Sequence, residues 1–356
     1  MSLRIDRVQD RLQELEVDAL LLTRLPDIRW ACGFSGSNAA LLVGSAEAHF
    51  ITDGRYTDQA REEVGGADIH VTRNGLMSYL QDNDLLVSFE HIGVQADHLT
   101  VSQYERLREE HPETTWQPSV HALTDLVASK DEGEVDRIRG AQAITESVFD
   151  EVVDLLAPGL TEREVAAEIT YRHLQHGADA MAFPPIVASG PNGAQPHARP
   201  TDRVLREGEL VVLDMGCFRN GYASDMTRTV AIGEPSPEAR EGYKVVRKAQ
   251  ARALDAAEAG MTGRELDAVA RTTIENAGLG DYFSHGLGHG IGLQVHEWPR
   301  VSHSVDDELP VGCCVTIEPG VYRPDQGFGV RIEDIVVLKE GNSENLTHTP
   351  KDLRSI

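Results

Sequence analysis

The stretch LDMGCFRNGYASDMTRT, residues 213–229, decides how this chain is read. Two β-rich runs, ELVVLDMG and YASDMTRTVAIG, flank Asn220-Gly221, a strong hairpin signal because both residues tolerate positive φ. The spacing places Asp214 and Asp225 on paired strands. Further along, CCVTIEPGVY and FGVRIEDIVVL, joined by RPDQG, predict a second hairpin that carries Glu318 and Glu333. All four carboxylates interrupt apolar runs. Strands apolar on both faces are buried, and a buried carboxylate is costly unless it meets a cation or strong donors. Arg228 and Arg331 are available as partners, but two arginines cannot neutralise four acids. Divalent cations can.

Working outward, each hairpin is preceded by the same helical phrase. GLTEREV at 159–165 returns as GMTGREL at 260–266, which aligns Thr161 with Thr262 and Glu164 with Glu265, the paired ends of a capping box. The repeat continues into the strands: Gly208 precedes Asp214 by six residues, and Gly312 precedes Glu318 by six. Two related halves, each of helices followed by a hairpin, could pack about a pseudo-two-fold axis with their hairpins facing. Val135, Ile138, Ala141, Ile144, Val148 and Val152 predict a long helix before the first phrase, stopped at Pro158-Gly159. Gly177 is placed to cap the helix that follows.

Between the hairpins lies SHGLGHGIGLQVHEWP, with His285, His289 and His296. Its glycines do not fit G-x-G-x-x-G, which excludes a dinucleotide fingerprint, and His296-Glu297 lacks the second histidine of a zincin. The glycines flanking His289 let other groups approach its ring closely.

Residues 1 to about 115 alternate helical and strand patterns. Leu3, Val8, Leu12 and Leu15 mark a helix stripe, VDALLL, AALLV and HFIT read as strands, and Tyr56 to Val64 reads as a helix. The segment 112–130 mixes prolines with polar residues without sustained period. We place a boundary there, with an α/β domain over 1–125 and an α+β domain over 126–356. A length of 356 residues, beyond what one core usually supports, fits two domains.

The formal charge of −25, from 58 acidic against 33 basic residues, argues against nucleic acid or an anionic membrane as partner. Only five of the basic residues are lysines, a bias that suits a high-salt cytoplasm and that a GC-rich genome would also produce. No apolar run approaches the ~18 residues of a membrane span. The opening MSLRIDRVQDRLQELEVDALLL reads as an amphipathic helix and a short strand rather than a signal peptide, so a cytoplasmic location is expected. Cys32, Cys217, Cys313 and Cys314 show no C-x-x-C spacing and are expected to be reduced, buried thiols.

Taken in order, LDMGCFRNGYASDMTRT, HGLGHGIGLQVHE, TIEPGVY and GVRIED resemble the signature of the pita-bread metallopeptidases, peptidase family M24, in their Xaa-Pro aminopeptidase and prolidase branch. IVASGPNGAQPH, ending at His197, matches another block of that family. GFSGSNAALLV and ITDGRYTDQA resemble its creatinase/prolidase-type N-terminal domain. The resemblance implies a pita-bread catalytic domain behind a smaller α/β domain. It implies two divalent ions, with Asp214 on one, His289 and Glu318 on the other, and Asp225 and Glu333 bridging both. Oxygen ligands with one imidazole suit Mn, Co or Zn, and the family favours Mn. His197, His285 and His296 would hold the tetrahedral intermediate, with His197 and His285 also lining the proline pocket. Glu318 would accept a proton, and Arg331 and Tyr322 would position these groups. The reaction implied is Xaa-Pro aminopeptidase hydrolysis of short peptides with proline second. A strict Xaa-Pro dipeptidase is the alternative, and a metal-free binding or scaffold domain a more distant one. Relatives suggest a homodimer through the N-terminal domain, for which Trp30 and Phe34 are either interface anchors or core aromatics.

Overall fold

Aliphatic runs too short for helices form the strands of the first unit, Met1–Val127. The computed structural model describes residues 2–356, the side chains of residues 2, 3 and 81 apart. In chain order the elements are α1 (Ser2–Glu14), β1 (Ala19–Leu22), α2 (Leu25–Cys32), β2 (Ala39–Gly44), β3 (Ala48–Asp53), α3 (Thr57–Glu63), β4 (Asp68–Thr72), α4 (Leu76–Asp82), β5 (His91–Gln95), α5 (Val101–Glu110), β6 (Thr115–Ser119) and α6 (Thr124–Ala128). One mixed sheet runs β4-β3-β2-β1-β5-β6. β1, β2 and β3 pair antiparallel, and the outer pairs are parallel. Leu21, Leu42, Ile51, Val94 and Trp116 share its core.

One open choice is settled here and one expectation changes. Trp30 and Phe34 are each 1% exposed, so they are core aromatics and not interface anchors. The segment 112–130 also holds a strand and a helix. β6 escaped the period because it is an edge strand, where Pro118 costs no ladder hydrogen bond on the solvent side.

The second unit, Ala128–Ile356, is built twice over. Its first half contains α7 (Glu132–Val153), α8 (Glu162–Gln175), β7 (Ala180–Met181), β8 (Ile186–Ser189), β9 (Leu210–Met215), β10 (Cys217–Arg219), β11 (Tyr222–Ala223) and β12 (Met226–Ala231). Its second contains α9 (Pro237–Ala256), α10 (Gly263–Glu275), β13 (Gly288–Gly290), β14 (Glu297–Val301), β15 (Cys314–Ile317), β16 (Gly320–Arg323), β17 (Phe328–Arg331) and β18 (Asp334–Val337). Both expected capping boxes form, Thr161 with Glu164 on α8 and Thr262 with Glu265 on α10. The match extends past the helices: Thr161 bridges Val204, and Thr262 bridges Glu308. Each half has its own core, with Val148, Ile169, Leu213 and Val230 in one and Val246, Leu266, Val315 and Val336 in the other.

The hairpins are more divided than the sequence suggests. In each half the outer strands pair, with Thr227 opposite Asp214 and Asp334 opposite Ile317, and a short inner hairpin is inserted between them. β10 and β11 form one, turning at Asn220 and Gly221, both at positive φ; β16 and β17 form the other. The ladders break where they do for local reasons. Pro319 has no N–H to continue the second, and at Gly216 a side chain would lie 2.1 Å from the Ser224 carbonyl oxygen. Among the described residues no helix is long and apolar enough to cross a membrane.

Candidate metal centre

The four carboxylates sit where outer strands give way to inner hairpins. Asp214 is the penultimate residue of β9, Asp225 immediately precedes β12, Glu318 immediately follows β15, and Glu333 immediately precedes β18. His289 is the middle residue of β13, which lies between β14 and β15. Its neighbours must be glycine: a Cβ on Gly288 would lie 2.0 Å from the Thr316 carbonyl oxygen, and one on Gly290 2.4 Å from that of Trp298.

These elements bring all five expected ligands together. Ligand atoms of Asp214, Asp225 and Glu333 lie within 4.8 Å of one another, as do those of His289, Glu318 and Glu333. The two sets share Glu333. A third set joins Asp225 and His289 to His296, a residue the sequence assigned to substrate. His289 Nε2 is 3.3 Å from Glu318 Oε1 and 3.7 Å from Asp225 Oδ2. Its Nδ1 faces the Gly290 carbonyl oxygen at 3.0 Å, which assigns the ring proton to Nδ1 and leaves Nε2 as a lone-pair donor.

Electrostatics make the cluster untenable as four bare anions. Burial, then Glu333 and Asp214, raise the Asp225 carboxyl well above its ordinary range; burial, then Glu318 and Asp214, do the same to Glu333. Burial pushes Glu318 up to about 7, against the pull of Arg331. Arg331 is the guanidinium that reaches the cluster, with Nη2 2.5 Å from Asp214 Oδ2. Arg228 turns away, binding the Glu333 carbonyl oxygen, Asp334 and the Thr349 carbonyl oxygen. Asp214 Oδ1, Asp225 Oδ1 and Glu333 Oε1 are buried without a hydrogen-bond partner. Buried acceptors left open in this way fit divalent cations, and carboxylate oxygens with one imidazole suit Mn, Co or Zn.

The expected substrate residues fall into two groups. His197 and His296 are exposed, and His296 meets the His289 ring edge-on with centroids 4.3 Å apart. His285 is engaged at both nitrogens: Nδ1 faces the Gly286 carbonyl oxygen at 2.8 Å, and Nε2 is 3.0 Å from the Tyr322 hydroxyl. Burial and Arg331 lower His285 to about 4, so the ring is neutral at physiological pH and Tyr322 donates to it. Arg331 Nη1 in turn donates to the Tyr322 oxygen at 2.9 Å. Arg331 therefore donates one way to Asp214 and the other way to Tyr322, which donates in turn to His285. Burial, then His289, lower His296 as well.

Sequence reasoning missed two threonines. Thr227 Oγ1 donates to Glu333 Oε2 at 2.7 Å and accepts from Arg331 Nε at 3.1 Å. Thr316 Oγ1 donates to Glu318 Oε1 at 3.2 Å and accepts from His289 N at 3.1 Å. A signal was present, since each lies two residues from a ligand carboxylate and strands repeat their faces every two. Threonine is too common in strands for that spacing to stand out.

Comparison with known proteins matches residues 136–340 to metallopeptidase family M24 and residues 4–126 to the creatinase/prolidase N-terminal domain. The Xaa-Pro dipeptidase of Pyrococcus furiosus is 34% identical over 355 residues, covering 99% of this chain and 100% of that one. Among solved structures, the Xaa-Pro dipeptidase from Bacillus anthracis superposes with a TM-score of 0.96 at 35% identity, covering 99% of both chains. The X-Pro aminopeptidase from Thermotoga maritima does so with 0.90 at 36%, covering 98% of this chain and 100% of that one. The name Xaa-Pro dipeptidase recurs among the relatives.

Proposed function

This chain belongs to metallopeptidase family M24, with a creatinase/prolidase N-terminal domain ahead of a pita-bread catalytic domain, and from that premise we propose that it is an Xaa-Pro dipeptidase. The enzyme class, a metallo-exopeptidase of the Xaa-Pro dipeptidase and aminopeptidase type, follows from the family and its relatives. The resemblance of the motifs by itself puts the aminopeptidase first. The recurrence of dipeptidases among full-length relatives supports the reverse order.

The observation that carries the proposal is the convergence of five ligand side chains around buried, unpartnered carboxylate oxygens. Asp214, Asp225 and Glu333 would hold one divalent ion and His289, Glu318 and Glu333 a second, with Asp225 shared and Mn the preferred metal. When bound, such a pair supplies an acidified water and a Lewis acid for the scissile carbonyl. The chain's own groups do the rest. Glu318 would take the proton of the attacking water and return it to the leaving nitrogen. His197 and His296 offer ring nitrogens to the developing oxyanion from the exposed side of the site. Arg331 holds Asp214 in place and, through Tyr322, fixes the neutral tautomer of His285, which lines the proline side of the cleft.

A panel of Xaa-Pro dipeptides and Xaa-Pro-Yaa tripeptides, assayed after reconstitution with Mn, Co or Zn, tests the proposal. Cleavage of dipeptides with tripeptides left intact is expected. Tripeptide cleavage at the first bond with comparable kcat/KM replaces the dipeptidase with the aminopeptidase. No turnover of either, with less than one divalent ion bound per chain, would favour a scaffold role.

A further inference from the structure

Glu162, the first residue of α8, is a fully buried carboxylate outside the metal centre, and among the described residues no cation pairs with it by a hydrogen bond. Its Oε1 accepts from the Ser189 N–H at 2.7 Å and the Ser189 hydroxyl at 2.8 Å. Its Oε2 accepts from Asn192 Nδ2 at 2.8 Å, the Thr201 N–H at 3.0 Å and the Thr201 hydroxyl at 2.7 Å. An ionised carboxylate is an acceptor only, with about four lone-pair sites, so these five donors saturate it. The start of a helix is also the favourable end for a negative charge.

Those donors are the two ends and one inner residue of a single loop. Ser189 closes β8, whose residue Ile186 pairs with Asp214, and Thr201 is where the chain returns to the start of α8. Between them the loop is held from its other side by the site itself: the Pro196 carbonyl oxygen accepts from Arg331 Nη1 at 3.0 Å. Gly193 lies against Gly329, whose Cβ, if present, would be 1.8 Å from the Gly193 carbonyl oxygen. His197 follows Pro196 and is exposed. The equivalent position in the second half is Gly263, where a Cβ would lie 2.4 Å from the Arg300 carbonyl oxygen. There the strand backbone fills the space that Glu162 occupies in the first half.

We propose that Glu162 is a positioning residue for substrate binding: by clamping both ends of the loop 190–200 it sets where His197 stands relative to the metal centre. The kinetic part of this inference rests on the dipeptidase reading; the structural part does not. Glu162→Gln replaces an acceptor with a donor that faces donors, while keeping size and helix position. In that variant, amides of the loop 190–200 should exchange hydrogen at least about ten-fold faster, while those of α8 and β9 and the number of metal ions bound stay as in the parent. kcat/KM for an Xaa-Pro dipeptide should fall about ten-fold, with kcat carrying part of the loss because His197 also faces the developing oxyanion. His197→Ala in the Glu162→Gln background should cost little more than His197→Ala alone, because the clamp acts through that residue.

Thr201→Val, which removes one donor and keeps the backbone, should show the same pattern at about three-fold, and it covers the case in which Glu162→Gln fails to fold. Unchanged loop exchange in these variants overturns the proposal. So does a double variant whose losses multiply, since Glu162 then acts independently of His197. Should the parent enzyme hydrolyse no Xaa-Pro peptide, the dipeptidase reading falls, and the exchange measurement alone decides the role of Glu162.

Discussion

The two halves of the catalytic unit share a plan and differ in what they do with it. Asp214 and Glu318 end corresponding strands, Asp225 and Glu333 begin corresponding partners, and Thr161 and Thr262 cap corresponding helices. The strand beside each ligand strand is where they part. In the first half β8 pairs with β9 and carries no ligand, and the chain beyond it swings out as the loop that bears His197. In the second, β13 pairs with β15 and itself carries His289. The halves are then stitched together from β12. Thr227 O accepts from Glu333 N, Thr229 exchanges hydrogen bonds with the Arg331 backbone, and Arg228 of one half binds Asp334 of the other. The repeated scaffold places acids in pairs, and its departures from symmetry supply the imidazoles and the guanidinium.

The sharpest way to break the comparison is to remove one of the matched acids. Asp225→Asn should lower kcat/KM by at least about a thousand-fold, roughly 4 kcal/mol of transition-state stabilisation. The metal-free protein should be no less stable, since burial already disfavours that charge. Steady-state kinetics beside thermal unfolding of the chelated protein reads both.

Cutting the stitch should come next. Arg228 and Asp334 are an ion pair with almost no exposed side chain, and Lys351 also reaches Asp334. Asp334→Asn strands two cations and should cost about 3–5 kcal/mol in urea unfolding. Arg228→Met leaves Asp334 with Lys351 and should cost less.

The convergence of acids from both halves also predicts how the chelated protein answers to pH. Burial raises the folded Glu318 carboxyl from 4.5 to about 7, so the native state binds the extra proton. The Glu318 contribution should therefore be fully present below pH 4.5, fall as pH rises to about 7, and then level, while His285, lowered to about 4, acts with the opposite sign between about 4 and 6.5. Glu318 alone contributes about 3 kcal/mol to that fall, and Asp225 and Glu333 act with the same sign. Urea unfolding of the chelated parent and of Glu318→Gln at pH 5 and pH 8 checks this: between the two pH values the parent should lose about 3 kcal/mol relative to the variant.

The smallest effect sharpens the link between halves. Thr227→Val keeps the strand but takes the hydroxyl from Glu333 and Arg331, and should weaken metal affinity by about ten- to a hundred-fold. Calorimetric titration of the chelated protein measures it.

Much of this was legible in the sequence because it rests on local pattern. Both capping boxes, the turn at Asn220-Gly221, the long helix Glu132–Val153 and the first three strands of the first sheet follow from short-range preferences. Repetition made the four acids stand out. What stayed hidden was of two kinds. β6 carries a proline tolerated only because it became an edge, and edges are a property of the finished sheet. Glu162 and Thr227 act through partners 27, 39 and 106 residues away that nothing near them in the chain marks, and Thr316, besides its neighbour Glu318, binds His289, 27 residues away.

By itself, then, the sequence determined the class of chemistry: four acids in a repeated register within apolar runs admit few stable outcomes besides divalent cations. It also determined which histidine could be approached closely enough to join them, through the glycines on either side of His289. Tertiary structure alone decided that Arg331 rather than Arg228 would reach the acids, because the two guanidinium groups leave paired segments in different directions. It likewise decided that His285 would be held at both nitrogens while His197 and His296 stay exposed. The physical reason is the same in each case: a residue's type sets what it can bind, but burial and hydrogen-bond partners, which come from distant parts of the chain, set what it does bind.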